Sequence, residues 1–251
     1  MGIDVAARTH VAPLGFEHER IVEPAVRSSA DRVVLLDYLP AYLGDQRQDD
    51  TEGSLEERGI ECDRRDCDID DLFDALAAFG REITDHAEDE VYVNLSTGNK
   101  LTAIGGMIAC MATGGATPYY VEAEQHGSHH PPVPTGVRSI DAIPPYPMDR
   151  PKRQHLLVME YVADSERTAT DGEPYRIKRE LFEYGEEAGL PFIADYEGDT
   201  DKGKFRRLDA HVVSPLRDRG YLRIEQVGTQ KRAFLTEDGR NTLRAFRYLI
   251  E

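Results

Sequence analysis

Cysteine is scarce. Three residues in 251 (Cys62, Cys67 and Cys110) do not build a disulfide framework, and Cys62 and Cys67 lack the CxxC spacing of a zinc ribbon. That usage predicts a reducing, cytoplasmic setting. Long apolar runs are missing too: nothing approaches the roughly 20 residues of a membrane span. The opening MGIDVAART has no signal-peptide pattern, so no membrane partner is expected. Neither the GxxxxGK[ST] phosphate loop nor the GxGxxG dinucleotide fingerprint occurs, and no internal repeat is found. Lysine is rare, 6 residues against 24 arginines.

Charge is what the chain has in excess. Asp and Glu number 47 against 30 Lys and Arg, a formal net of −17. An acidic, lysine-poor composition of this kind predicts a halophilic protein, whose carboxylates retain water and cations in molar salt. The charge is also uneven. Residues 1–150 hold 28 acidic and 12 basic side chains, whereas residues 151–251 hold 19 and 18. Within 202–232 nine basic residues face three acidic ones. A basic island on an acidic chain is the footprint of a polyanionic partner.

Proline marks the division. The stretch 131–151, PPVPTGVRSIDAIPPYPMDRP, holds seven of the fourteen prolines, and helices do not cross such a segment. A boundary near residue 147 is expected, giving domains 1–147 and 148–251. The first half alternates strand and helix. Strands are expected at Thr9–Leu14, Arg32–Leu36, Gly59–Cys62, Val91–Leu95, Thr117–Ala123 and Val137–Ile143. Helices are expected at Glu17–Ser28, at 69–87 with Leu72, Leu76, Phe79 and Ile83 on one face, and at 99–112. The last is almost wholly apolar and reads as buried, with Met107, Cys110 and Met111 in the core. Residues 44–58 read as a polar loop or a poorly ordered excursion. This alternation predicts an α/β, Rossmann-like parallel sheet with helices on both faces.

The second half reads as helices at Lys152–Ala163, Tyr175–Ala188 and Lys202–Arg219, a basic hairpin over Leu222–Leu235, and a last helix capped by Thr236 with Glu237 and Asp238 in its first turn. That order is a winged helix-turn-helix. In the third helix Phe205, Leu208, Val212 and Leu216 form an apolar stripe, with Arg207, Ala210, His211 and Ser214 opposite and Lys204 and Arg206 flanking. Pro215 should kink that helix. The layout suits double-stranded DNA. Lys202, Lys204, Arg206, Arg207, His211 and Ser214 would face the major groove, and Lys231 and Arg232 at the wing would contact phosphates.

Two loops of the first half carry the chemistry. Strand Thr9–Leu14 runs into LGFEHER, and strand Val91–Leu95 into NLSTGNK. Both fall at the carboxyl edge of the sheet, where backbone amides and helix N-termini receive anions. Asn94, Ser96, Thr97, Gly98, Asn99 and Lys100 combine donors, a glycine and the single lysine of residues 1–150, as a phosphate or ribose would require. The same loop also reads as a plain strand-to-helix turn capped by Ser96 or Thr97. His126, His129 and His130 read as exposed loop histidines. No metal, no cofactor and no catalytic residue is assigned.

The segments THVAPLGFEHERIVEPAVRSSADRVVLL and VYVNLSTGNKLTAIGGMIACMATGGATPYYVEAE resemble the CARF domain (CRISPR-associated Rossmann fold). With PLRDRGYL and LTEDGR, the likeness extends over nearly the whole chain. It is to haloarchaeal regulators that join such a domain to a C-terminal winged helix, similar to Csa3-type regulators of CRISPR loci. The resemblance implies a homodimer, with a nucleotide of the cyclic oligoadenylate class bound where the ligand loops meet. By motif, Leu14, Gly15 and Phe16 would line the first loop, and Asn94 to Lys100 (Leu95 apart) the second. NLSTGNK departs from the commoner TGG form, having Asn99 at the second glycine. The implied function is a ligand-responsive transcriptional regulator. Two alternatives stand beside it: cleavage of the cyclic ligand by its own 2′-hydroxyl, assisted by Ser96, Thr97 and Lys100, and sensing of another phosphorylated metabolite.

Overall fold

Strand runs such as RTHVAP and RVVLLD send successive side chains to opposite faces of a sheet, and their burial along nearly the whole run means that both faces are covered. The computed structural model describes residues 6–15, 17–37, 46–126, 134–143, 148–170, 172–196, 198 and 200–251, with backbone alone at 46–50, 125–126 and 134–135. The chain divides into two compact units, Met1–Arg150 and Pro151–Glu251.

The first unit runs β1 (Arg8–Pro13), α1 (Glu19–Arg27), β2 (Arg32–Asp37), α2 (Gln46–Glu56), β3 (Glu61–Asp66), α3 (Leu72–Asp85), β4 (Glu90–Asn94), α4 (Lys100–Thr113) and β5 (Ala116–Glu122). Two short strands, β6 (Gln125–His126) and β7 (Pro134–Thr135), pair with each other, and β8 (Ser139–Ala142) closes the main sheet. Its strand order is β3-β2-β1-β4-β5-β8. Neighbours are parallel except β8, which runs antiparallel to β5 with Val121 opposite Ile140. The chain order reverses at β1, between β2 and β4. That switch point is where Rossmann-like sheets open a crevice.

On one face Ala12, Leu14, Ile21, Val22, Val33, Leu35 and Leu55 form a core beneath α1 and α2. On the other, Val11, Val34, Leu36, Phe79, Ile83, Val93 and Cys110 form a core beneath α3 and α4. Each fully buried large side chain here contributes about 1.5–3 kcal/mol. Gly105 and Gly106 let α4 lie close: a Cβ at Gly105 would come within 3.0 Å of the Leu76 amide nitrogen.

Two expectations in this unit need correction. Residues 46–56 are helix α2, not loop. Leu55 is fully buried and Thr51 is 1% exposed, so tertiary contact holds a segment with almost no apolar stripe. Helix α4 is buried on one side only. Cys110 is in the core, while Leu101 (42% exposed) and Ile104 (48%) face outward and Met107 and Met111 are half-buried.

The second unit runs α5 (Arg153–Ala163), β9 (Arg176–Ile177), α6 (Lys178–Glu187), α7 (Pro191–Ala194), α8 (Asp201–Leu208), a π turn (Asp209–Val213), α9 (Ser214–Asp218), β10 (Leu222–Val227), β11 (Gln230–Leu235) and α10 (Glu237–Phe246). The expected helix Tyr175–Ala188 is a strand followed by a shorter helix. Strand β9 adds to the hairpin, giving the antiparallel order β10-β11-β9. Helices, three-stranded sheet and wing make a winged helix-turn-helix. Leu208, Val212 and Leu216 are buried, with Leu156, Leu181 and Leu222 among their core partners. Half-buried Phe205 meets Phe182 edge-on at 5.0 Å. Thr236 caps α10 by accepting from the Gly239 amide at 3.0 Å.

Candidate ligand pocket and nucleic-acid interface

Strands β1 and β4 are adjacent and parallel, so their following loops meet at the same sheet edge. Thr97 Oγ1 donates to the Pro13 carbonyl at 2.7 Å, tying one loop to the other. Gly98 has φ +72°, and a Cβ there would lie 2.8 Å from the Pro13 Cβ; a Cβ at Gly15 would lie 3.0 Å from the Gly98 nitrogen. The two glycines allow this approach.

Several expected ligand donors are already engaged. The Asn94 side chain is fully buried; its Nδ2 donates to the Arg20 carbonyl at 2.9 Å, and its Oδ1 accepts from the Ser96 amide at 2.8 Å. Arg20 lies four residues before Pro24, which sits inside α1 and has no amide to offer that carbonyl. Asn94 makes good the missing bond. Ser96 Oγ accepts from the Val121 amide. Asn99, rather than Ser96 or Thr97, is the N-cap of α4: its side chain accepts from the Thr102 amide at 3.0 Å. Asn99 Nδ2 donates to the Ile69 carbonyl and to Asp70 Oδ1, which holds a third loop in place. The departure from TGG is thus a capping residue. Leu14 packs into the core, and Phe16 lies outside the described residues. What the cluster presents outward is Lys100, exposed in the first turn of α4, beside the glycine backbones.

The histidine motif 126–130 falls on residues whose side chains are not described. Among the described residues, no group of three or more His, Cys, Asp or Glu is placed to hold a metal ion, and no helix is long and apolar enough to cross a membrane. The cysteines are free, and burial pushes each thiol up to about 12, so thiolate chemistry is suppressed.

In the second unit the basic residues sort into two groups. Lys204 pairs with Glu186 at 2.5 Å. Arg207 Nε donates to the Phe192 carbonyl at 2.7 Å, so its side chain is drawn toward α7. Arg232 stacks over the Tyr175 ring at 4.4 Å. By contrast Lys202, Arg206, His211 and Lys231 are exposed, and Ser214 is half-buried. Sequence reasoning missed Lys178 and Arg179. With Lys231, Phe205, Asp209 and Gln230 they line a cleft of about 500 Å³ between wing and helices, where Lys178 pairs with Asp209. Both lie within a range the pattern assigned to one continuous helix.

Pro215 is accommodated by the π turn just before it, with the Ser214 amide bonding to the Asp209 carbonyl. Such turns occur frequently at functional sites. Its missing amide orphans the His211 carbonyl. His155 Nε2 reaches it from α5 at 2.8 Å, which fixes Nε2 as the protonated nitrogen.

Residues 8–126 match the family described as HFX_2341_N-like, N-terminal, and residues 154–247 match the DUF6293 C-terminal winged helix domain. The chain thus carries an N-terminal domain similar to the HFX_2341_N-like family and a C-terminal winged helix domain. This make-up agrees with the resemblance to proteins that couple a CARF domain to a winged helix. Can2 from Sulfobacillus thermosulfidooxidans, solved in complex with cyclic tetra-adenylate, is similar at 10% identity and TM-score 0.41, covering 96% of this chain and 62% of Can2. VC1899 from Vibrio cholerae is similar at 13% identity and TM-score 0.41, covering 96% of this chain and 65% of VC1899. A type III CRISPR defence DNA nuclease activated by cyclic oligoadenylate is similar at 14% identity and TM-score 0.35, covering 91% of this chain and 37% of the nuclease. The chain thus spans less than two thirds of each of these proteins. No curated protein matches it.

Proposed function

We propose that this protein is a ligand-responsive, DNA-binding transcriptional regulator. A nucleotide of the cyclic oligoadenylate class binds at the β1–α1 and β4–α4 loops, at the two-fold axis of a homodimer. The observation that carries this reading is the loop junction itself. Two glycine-bearing loops, cross-linked by Thr97 to Pro13, face the switch point of a parallel sheet with one exposed lysine beside them. Leu101 and Ile104 leave an apolar face on the same helix that Lys100 opens, which suits a second copy of the chain next to the ligand. The winged helix would read DNA through Lys202, Arg206, His211 and Lys231. Differential affinity of the ligand for two dimer states is what regulation demands.

The cleavage alternative relied on three side chains. Thr97 and Ser96 are engaged in holding the loops and β5, which favours binding over catalysis.

The test is thermal stabilisation by cyclic tetra- and hexa-adenylate, against AMP and ATP, in molar KCl. A cyclic species at a hundredfold excess over its Kd should raise Tm by about 5–10 °C. No shift with either, from a folded protein, would remove the nucleotide reading and leave the DNA-binding one in place.

A further inference from the structure

Near the loop junction lies a buried cation, the last residue of LGFEHER, that is not among the expected ligand residues. Arg20 is 5% exposed. Its Nη2 donates to the Val121 carbonyl at 2.7 Å, but its Nε is buried with no hydrogen-bond partner. Its Nη1 stands 3.9 Å from Glu17 Oε1, beyond hydrogen-bond range. A guanidinium has five N–H donors, and a buried one ordinarily has its charge and its donors met. This one leaves Nε unpaired, and its Nη1 faces Glu17 across 3.9 Å.

Glu17 is the second half of the observation. Its carboxylate is folded in, with the side chain 16% exposed, and its Oε2 lies 2.5 Å from where a Gly15 Cβ would stand. The same Cβ position is 3.0 Å from the Gly98 nitrogen. The carboxylate therefore rests at the meeting point of the two loops, at an ion-pair distance from a buried arginine. A phosphate has the same charge sign as a carboxylate, with more acceptor oxygens, and pairs bidentately with arginine.

We propose that Arg20 is the anion anchor of this pocket and that Glu17 is a placeholder displaced by a phosphate group of the ligand. The inference rests on the nucleotide reading for the identity of the ligand, though not for the existence of the anion site. Displacement makes affinity conditional. The phosphate must compete with an internal carboxylate, so weakly charged or poorly fitting ligands are rejected.

The experiment titrates the full chain with inorganic pyrophosphate and, separately, with cyclic tetra-adenylate. It compares wild type, Glu17→Gln, Arg20→Lys and the double variant at one KCl concentration. Glu17→Gln should bind pyrophosphate about tenfold more tightly than wild type, and the double variant should lose that gain because lysine lacks the fork. Unchanged or weaker binding by Glu17→Gln overturns the proposal, as does a gain that persists in the double variant. The Glu17→Gln comparison decides by itself if Arg20→Lys does not fold. Pyrophosphate binding with this pattern and no response to cyclic tetra-adenylate would uphold the anion site and exclude cyclic tetra-adenylate as its ligand. Equal cyclic tetra-adenylate binding by all four proteins would refute the Arg20 anchor alone.

Discussion

His10 shows how far a single side chain depends on its surroundings. It lies on β1 at 3% exposure, with Nδ1 on the Tyr119 hydroxyl at 3.0 Å and Nε2 on Ser28 Oγ at 2.8 Å. Tyr92 stacks on it at 5.1 Å. Burial lowers its pKa from 6.5 to about 4. Between those values the unfolded chain takes up a proton that the folded chain does not. Stability is therefore retained above pH 6.5 and lost as the pH falls toward 4. The full effect is about 3 kcal/mol. Urea unfolding of His10→Gln at pH 7 and pH 4.5 should show a shallower decline than wild type by about 2–3 kcal/mol. Identical declines would show that another group governs this range. Nothing in the alternation of RTHVAP distinguishes this histidine from an apolar neighbour; only β4, β5 and α1 folding over it set its state.

At the scale of elements, Pro24 and Pro215 each leave a helical carbonyl without its amide, and each gap is filled from outside the helix. Pro24 leaves the Arg20 carbonyl to Asn94 of β4, and Pro215 leaves the His211 carbonyl to His155 of α5. Removing the His155 donor leaves the His211 carbonyl only the longer bond from Gln154 Nε2 at 3.4 Å, a cost of about 1 kcal/mol. His155→Leu should destabilise the wild type by that amount and cost distinctly less in a Pro215→Ala background, where the restored amide is the substitute donor. A double-mutant cycle by chemical denaturation reads the difference, and strict additivity would sink this account. The sequence pattern located the strands of the sheet, helix 69–87 and the last helix, because their periodicities and caps are local. It missed α2, whose anchors Leu55 and Thr51 acquire meaning only against α1 and β3. It did not show that Asn94 and Asn99 are engaged within the protein, since their partners lie 74 residues upstream and at Ile69 and Asp70.

Across the whole molecule, charge is redistributed by folding. The nine basic residues of 202–232 suggest a strongly positive face. In the folded unit Lys204 is paired with Glu186, Arg223 with Glu173 and Arg217 with Asp218. Lys202, Arg206, Arg219 and Lys231 carry no ion pair among the described residues and stay exposed. On the halophilic reading of the net charge of −17, counterion release contributes little, because phosphate contacts weaken steeply in molar salt. Base contacts then matter more. Arg206→Ala should lower affinity for the operator by about 1–3 kcal/mol while leaving random duplex nearly unchanged. Lys231→Ala should weaken both alike, and Arg207→Ala should lower Tm rather than discrimination. Fluorescence anisotropy on specific and random duplexes in molar KCl tells these apart. Equal losses on both duplexes for Arg206→Ala would remove it from base readout.

What the sequence by itself determined was the layout: an alternating α/β half, a proline-rich divide, and a helix-helix-helix-hairpin half. Each of these rests on short-range periodicity and backbone restriction, which neighbouring residues impose on one another. Only the tertiary structure decided which polar groups remain available. Hydrogen bonding and ion pairing are settled between residues far apart in the chain, and a donor already satisfied by a distant carbonyl is indistinguishable in sequence from one awaiting a ligand. So Asn94, Thr97 and Asn99 turn out to hold the loops together, and Arg20, hidden in an ordinary helical stripe, stands buried and under-bonded beside them.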